Sequence, residues 1–296
     1  MLPRSTWLIA AMATGLTTWA LAGITTTTRT DLLFQSEVGE LPELWILPEA
    51  SGQPSRFLPP GVAAFHPATA SDGRVAFMRP SDGRQSLWLA TPDGEELNRW
   101  SPADVDDHMP SFSPDGSRLA FVRLGAGGTP EVWVGPTRVN ERLNLRPRRV
   151  IAGAMAPAWS PDGSRIAFAS NRDGHFRIWT VAPDGSGLTR VTEAGAGDRE
   201  PAWSPDGRRL VFVRQFENGA VDLVVRELRS GTERRVALSG IERRPAWSPD
   251  GRRIAFATDR HGELEIHTIT PEGAQPRRLT HNTVRDQAPV WLSRNR

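Results

Sequence analysis

Ala158-Trp159-Ser160-Pro161-Asp162-Gly163-Ser164-Arg165-Ile166-Ala167-Phe168 is the stretch that decides the fold. Pro161 presets φ for a turn, Asp162 can bond back to its own backbone, and Gly163 supplies a positive φ. The apolar residues on either side then read as the two strands of a hairpin. The phrase returns almost verbatim at Trp203 to Gly207 and at Trp247 to Gly251. The chain is therefore built by copying a strand–turn–strand unit.

Working outward, the aromatic before the turn recurs at Phe65, Phe112, Trp159, Trp203, Trp247 and Trp291. The intervals are 47, 47, 44, 44 and 44 residues. A period in the forties with several short strands per unit marks a propeller blade. A second aromatic follows at Phe121, Phe168, Phe212 and Phe256, with Phe77 after a longer turn. A third position holds Trp88 and Trp179, and Trp133 arrives one residue late, which predicts a small loop insertion. In the third full copy the expected strands are roughly 156–160, 165–170, 176–182 and 187–192.

The chain ends fix the blade count. Trp291 opens a unit that only five residues follow, whereas Leu32-Leu33-Phe34 resembles Ile166-Ala167-Phe168 and Trp45 lies 11 residues further on. The segments 31–36, 43–48 and 55–59 thus read as a blade lacking its first strand, which 288–292 supplies. Five complete units and one shared between the termini make an all-β, six-bladed propeller of four-stranded blades over 31–296. Closure removes the unpaired strand edges an open ring would leave.

Ahead of it, the charge-free run from Trp7 to Ile24 and the Ala20-Leu21-Ala22 triplet read as a signal peptide or an N-terminal membrane anchor over 1–24. Residues 25–30 form a spacer. Either reading places the remainder outside the cytoplasm. The 36 basic and 34 acidic residues give a formal net charge of +2. Every basic residue is Arg, which with no Cys or Tyr puts the pI near 10.5. So even a balance points away from nucleic acid, which selects a concentrated basic face. The absence of cysteine excludes disulfides, thiolate metal sites and a Cys nucleophile.

Trp-Ser-Pro-Asp-Gly followed by two polar residues and Ile/Leu-Ala/Val-Phe resembles the WD40-like (PD40) repeat of TolB-type β-propellers. The resemblance implies a six-bladed, often periplasmic propeller used mainly to bind other proteins. TolB itself carries an α/β domain ahead of its propeller; here about eight residues are expected between the cleavage site and the first strand, a departure from that pattern.

The repeated aromatics read as inter-blade packing, and the nine Asp-Gly pairs as turns rather than calcium loops. Paired arginines at Arg148-Arg149, Arg234-Arg235 and Arg277-Arg278 suit outermost strands that must resist edge-to-edge pairing. There is no Gly-x-Ser-x-Gly elbow, and the six histidines show no zinc-binding spacing. No catalytic residue, metal or cofactor is expected.

The variable stretch entering each innermost strand is the candidate binding rim. Three residues before the proline stand Asp107, Asp198, Glu242 and Asp286, a series that Ala154 and Pro60 interrupt. The next position holds His108, Arg199, Arg243 and Gln287, and the one after holds Glu200 and Arg244. Of the histidines, this map puts only His108 at the rim. A ring of acids with interleaved Arg could hold a cation or a basic peptide; alternatively the acids pair with neighbouring arginines. The expected role is a non-catalytic, monomeric interaction module that binds an envelope protein or peptide. The alternatives are an extracytoplasmic propeller enzyme of lyase, lactonase or hydrolase type, or a carbohydrate or small-ligand sensor. Two acids and a histidine converging in the channel would favour an enzyme.

Overall fold

A computed structural model describes residues 29–49, 52–138, 146–193, 197–236 and 240–294. The expected leader over 1–24 lies outside these residues. The described chain folds into six antiparallel four-stranded sheets arranged as a ring of blades. Blades one to five run in order from Phe65 to Arg278, each with its first strand innermost and its fourth outermost. The closing blade joins Asp286–Arg294 to Arg29–Ser36, Glu43–Leu47 and Ser55–Arg56, with Leu32 opposite Trp291. The clasp predicted from the chain ends is therefore the observed closure.

The second strand of each blade explains the repeated Ile-Ala-Phe. In blade three all five residues of Ile166–Ser170 are buried. Such a run is unlike the alternation of a sheet with one wet face, because a blade is covered by neighbours on both sides. One face puts Phe168 and Ile166 with Val132 and Val134 of blade two, and the other puts Ala167 and Ala169 with Leu210 and Phe212 of blade four. The six equivalent phenylalanines, Phe34, Phe77, Phe121, Phe168, Phe212 and Phe256, are the largest fully buried side chains. Each contributes roughly 1.5–3 kcal/mol through burial. Leu33 packs with Phe77 of blade one while Phe34 packs with Ala257 and Ile266 of blade five, so the closing blade seals the ring from both sides.

The turns carry more chemistry than Pro-Asp-Gly alone. Ser160 Oγ donates to Asp162 Oδ1 at 2.6 Å and accepts the Arg165 amide at 2.9 Å. Ser204 and Ser248 repeat both bonds with Asp206 and Arg209 and with Asp250 and Arg253. Hydrogen bonds from Ser113 and Ser117 hold the Asp115 carboxyl down at about 2. These acids belong to the turns. Gly163 has φ 70°, and its α-carbon faces Pro114 of the preceding blade as Gly207 faces Pro161 and Gly251 faces Pro205. A Cβ on Gly207 would meet Pro161 Cγ at 3.3 Å, so glycine here serves close packing as well as backbone shape.

The anchor series needs one correction. Phe65 is not the equivalent of Trp159: Thr69 is, since Thr69 pairs with Val75 as Trp159 pairs with Ile166. Thr69 Oγ1 donates to Trp291 O of the closing blade at 2.8 Å. Trp203 and Trp291 tie neighbouring blades in a similar way, each indole donating to a carbonyl of the preceding innermost strand at 3.1 Å. A hydroxyl thus does in blade one what an indole does in blade four and the closing blade, and the eye looking for an aromatic slips by four residues. The late Trp133 still pairs with Phe121; a short 3-10 turn at Ala126–Gly128 absorbs the extra residue.

Candidate functional site

Each innermost strand begins on one face of the ring and ends on the other, in blades two to five at a Ser-Pro-Asp-Gly turn. Near its start every one carries a bulge that contains a proline: Pro67, Pro110, Pro157, Pro201, Pro245 and Pro289. The residue before each proline has a positive φ of 48–54°: His66, Met109, Ala156, Glu200, Arg244 and Ala288. That region is disfavoured for any side chain and more so ahead of proline. Six repetitions show that closure of the ring imposes it. The strands converge on the axis, and a proline there leaves no inward amide donor to satisfy. These twelve residues, with Ala246 and Val290, line a central funnel of about 170 Å³.

The predicted acids do not line this funnel. Asp107, Asp198, Glu242 and Asp286 are all fully buried, one step back along the strand. Asp107 takes a two-pronged bond from Arg123 at 2.7 and 2.8 Å and a third from Ser101 at 2.8 Å. Asp198 is gripped likewise by Arg214 at 2.7 and 3.0 Å. Burial works against the Arg214 charge, but its bonds to Asp198 and Glu233 outweigh that and raise its pKa. Asp286 accepts from Asn282 at 2.8 Å, and burial raises its carboxyl. Neither oxygen of Glu242 has a hydrogen-bond partner; burial and then the nearby Asp222 push it up to about 7. In blade one the member of the series is Ala64, not Pro60, which follows from moving the anchor to Thr69.

The pairing follows strand register. Asp107 lies opposite Arg123, Asp198 opposite Arg214, and Glu242 opposite Thr258. A residue 16 positions downstream thus decides whether each acid is neutralised, a signal present in the sequence but invisible until the bulge is counted. The neighbouring arginines of the rim, Arg199, Arg243 and Arg244, are not these partners. Arg199 lies over the Phe176 ring at 4.1 Å, and Arg243 is exposed. His108 Nε2 lies 2.9 Å from Asp106 Oδ1, and neither His108 nor half-buried Gln287 is in the funnel lining.

What the funnel presents is Glu200, Arg244 and His66. The Arg244 amide donates to Glu200 Oε2 at 2.7 Å, linking blades four and five. Burial, followed by Arg243, lowers the Arg244 pKa while Glu200 opposes the shift; the guanidinium stays charged. Its side chain makes no hydrogen bond or ion pair with the described residues. Burial and then the charge of Arg244 depress His66 to about 3, so its ring is neutral at pH 7. His66 was missed because anchoring blade one at Phe65 placed it beyond the rim. The paired arginines act as expected of strand edges: Arg149 bonds Glu131 at 2.8 Å, Arg235 bonds Asp222, and Arg278 bonds Glu265.

A ring of six four-stranded blades around a variable axial funnel defines a propeller that presents a site at one face. The chain belongs to the TolB β-propeller family, whose domain profile matches residues 68–215 and 202–296. A TolB homolog of Chlorobium luteolum is 34% identical over 165 residues, covering 54% of this chain and 36% of the homolog. The chain thus spans about a third of that relative's length. TolB from Acinetobacter baumannii superposes with a TM-score of 0.77 at 20% identity, over 90% of this chain and 67% of that one. Hydrazine synthase of Kuenenia stuttgartiensis gives 0.73 at 15% identity, over 90% and 47%. At these identities the solved structures establish the fold alone, and that fold occurs in an enzyme as well as in TolB.

Proposed function

We propose that this chain is a non-catalytic protein-interaction module that works outside the cytoplasm at the cell envelope, with the funnel face as its contact surface. The carrying observation is the distribution of exposed apolar side chains. Among the described residues the large ones are Val38, Leu41, Leu124, Leu188 and Ile241. Val38 and Leu41 lie in the loop after Arg29–Ser36, Leu124 ends a second strand, and Ile241 precedes Glu242, all on the funnel face. Leu188 alone is on the turn face, in the hairpin between third and fourth strands. Ile241 shares a cavity with exposed Arg243 and half-buried Arg199, the mixture of apolar and charged groups that protein partners cover. The turn face offers mainly acids already bonded within their own turns.

The funnel lining holds one acid, Glu200, and one histidine, His66, rather than the two acids and a histidine that would favour an enzyme. Among the described residues no cluster of three metal-ligating side chains is present, and no helix is long and apolar enough to cross a membrane. The membership of the TolB family supports an envelope partner.

The test is capture from envelope extract, with the wild-type propeller, a Leu41→Asp/Ile241→Asp variant and a Leu188→Asp variant as baits. Protein retained by the wild type and by Leu188→Asp should be lost, at least tenfold, from the double variant. Equal retention by all three would overturn the assignment of the face.

A further inference from the structure

Resting on that reading of the funnel face, we infer that the funnel binds a carboxylate of the partner, a chain terminus or the tip of an acidic side chain, with Arg244 as its anchor. The sign of the site follows from which charges reach it. Asp107 and Asp198 are buried and neutralised by Arg123 and Arg214, and Asp222 by Arg235. Glu242 and Asp286 are buried behind the lining. The linings of the funnel and of the adjoining cavity at blades four and five then carry Arg199, Arg243 and Arg244 and the acid Glu200, which already accepts the Arg244 amide. A rim read from sequence as acidic is basic once the buried acids are removed from it.

The Arg244 guanidinium is the unspent group. Its planar fork matches the two oxygens of a carboxylate. The walls around it are prolines, Met109, Ala156 and Ala288, which carry no charge and strengthen the field of a single cation. His66, whose Nδ1 has no hydrogen-bond partner, lies in the same lining and brings a neutral imidazole rather than a second cation. A volume of about 170 Å³ admits a carboxylate with a few carbons. Glu200 beside the guanidinium selects a monoanion over a phosphate dianion, which it would repel.

The experiment titrates the propeller by calorimetry at pH 7.5 with N-acetyl-tetra-alanine as the free acid, with the same peptide as its C-terminal amide, and with sodium acetate. The acid should bind at least tenfold more tightly than the amide, and Arg244→Gln should abolish the difference. Arg234→Gln, on an outermost strand, should leave it unchanged. Should Arg244→Gln lose its thermal unfolding transition, Arg244→Lys provides the second readout, keeping the charge but losing the fork, with at least a threefold smaller preference for the acid. Equal binding of acid and amide, binding of neither, or a preference that survives Arg244→Gln each overturns the inference. Acetate binding as tightly as the peptide acid overturns the partner carboxylate in favour of a free small acid. Failure here with the extract capture intact removes the carboxylate alone. Loss of capture specificity with the acid preference intact removes the interaction reading instead.

Discussion

Blades four and five differ in one contact at a shared position, and the contrast shows how a repeat carries information. Both begin their innermost strand with a fully buried acid, Asp198 in one and Glu242 in the other. Across the strand Asp198 meets Arg214, whereas Glu242 meets Thr258. Asp198 thus sits in an ion-pair network that continues through Arg214 to Glu233 and Arg226. Glu242 has no partner and holds its proton near neutrality. At the other end of the same strands the two blades match bond for bond, through Ser204 with Asp206 and Ser248 with Asp250. One end of the strand repeats the scaffold, and the other is free to vary.

The largest expected effect breaks the contrast on the paired side. Asp198→Ala strands Arg214 in the interior with only Glu233, and should cost roughly 3–5 kcal/mol of stability in denaturant unfolding. A loss under about 1 kcal/mol would show that the ion pair is not the element that differs between the blades.

The next effect is a matter of pH. Glu242 has a folded-state pKa near 7 against an ordinary 4.5, so the folded protein retains a proton that the unfolded chain releases. Its contribution is present below about pH 4.5, is lost as pH rises to about 7, and is constant above that. Glu242→Gln should consequently stabilise the protein by roughly 1–3 kcal/mol at pH 8 and leave it unchanged at pH 4. His66 and His267 act in the opposite sense. Burial holds them near 3 and 4, so the unfolded state binds more protons and stability falls as pH drops from about 6.5 towards those values. Thermal unfolding of wild type and Glu242→Gln across pH 4–8 separates the two slopes; parallel curves would remove Glu242 as their source.

The smallest effect sharpens the likeness rather than the difference. Ser204→Ala and Ser248→Ala each remove a hydroxyl that donates to an aspartate and accepts an amide. Each should cost about 1 kcal/mol, and the two should agree within a few tenths. Unequal losses would mean that the turns, too, are read differently by the two blades.

The closing Gly94 shows how far a local rule reaches. Its φ of 81° is an ordinary requirement of the Pro92-Asp93-Gly94 turn. A Cβ there would also fall 2.1 Å from Phe57 O, in the closing blade. The turn could be read from three letters, but the contact that forbids alanine joins segments 37 residues apart.

The sequence by itself determined the blade count, the strand order within a blade and the clasp between 31–36 and 288–292, because hairpins and repeat periods are local. It also marked the entry to each innermost strand as the variable place. Only the tertiary structure decided which residues of that stretch face the axis. The bulge at each proline rotates the strand there, turning Asp107, Asp198, Glu242 and Asp286 inward to their neighbours and His66, Glu200 and Arg244 towards the funnel. A side-chain period of two allows no inference across a bulge. The charge of the site is set by partners 16 residues away and by ring closure, neither of which a local pattern contains.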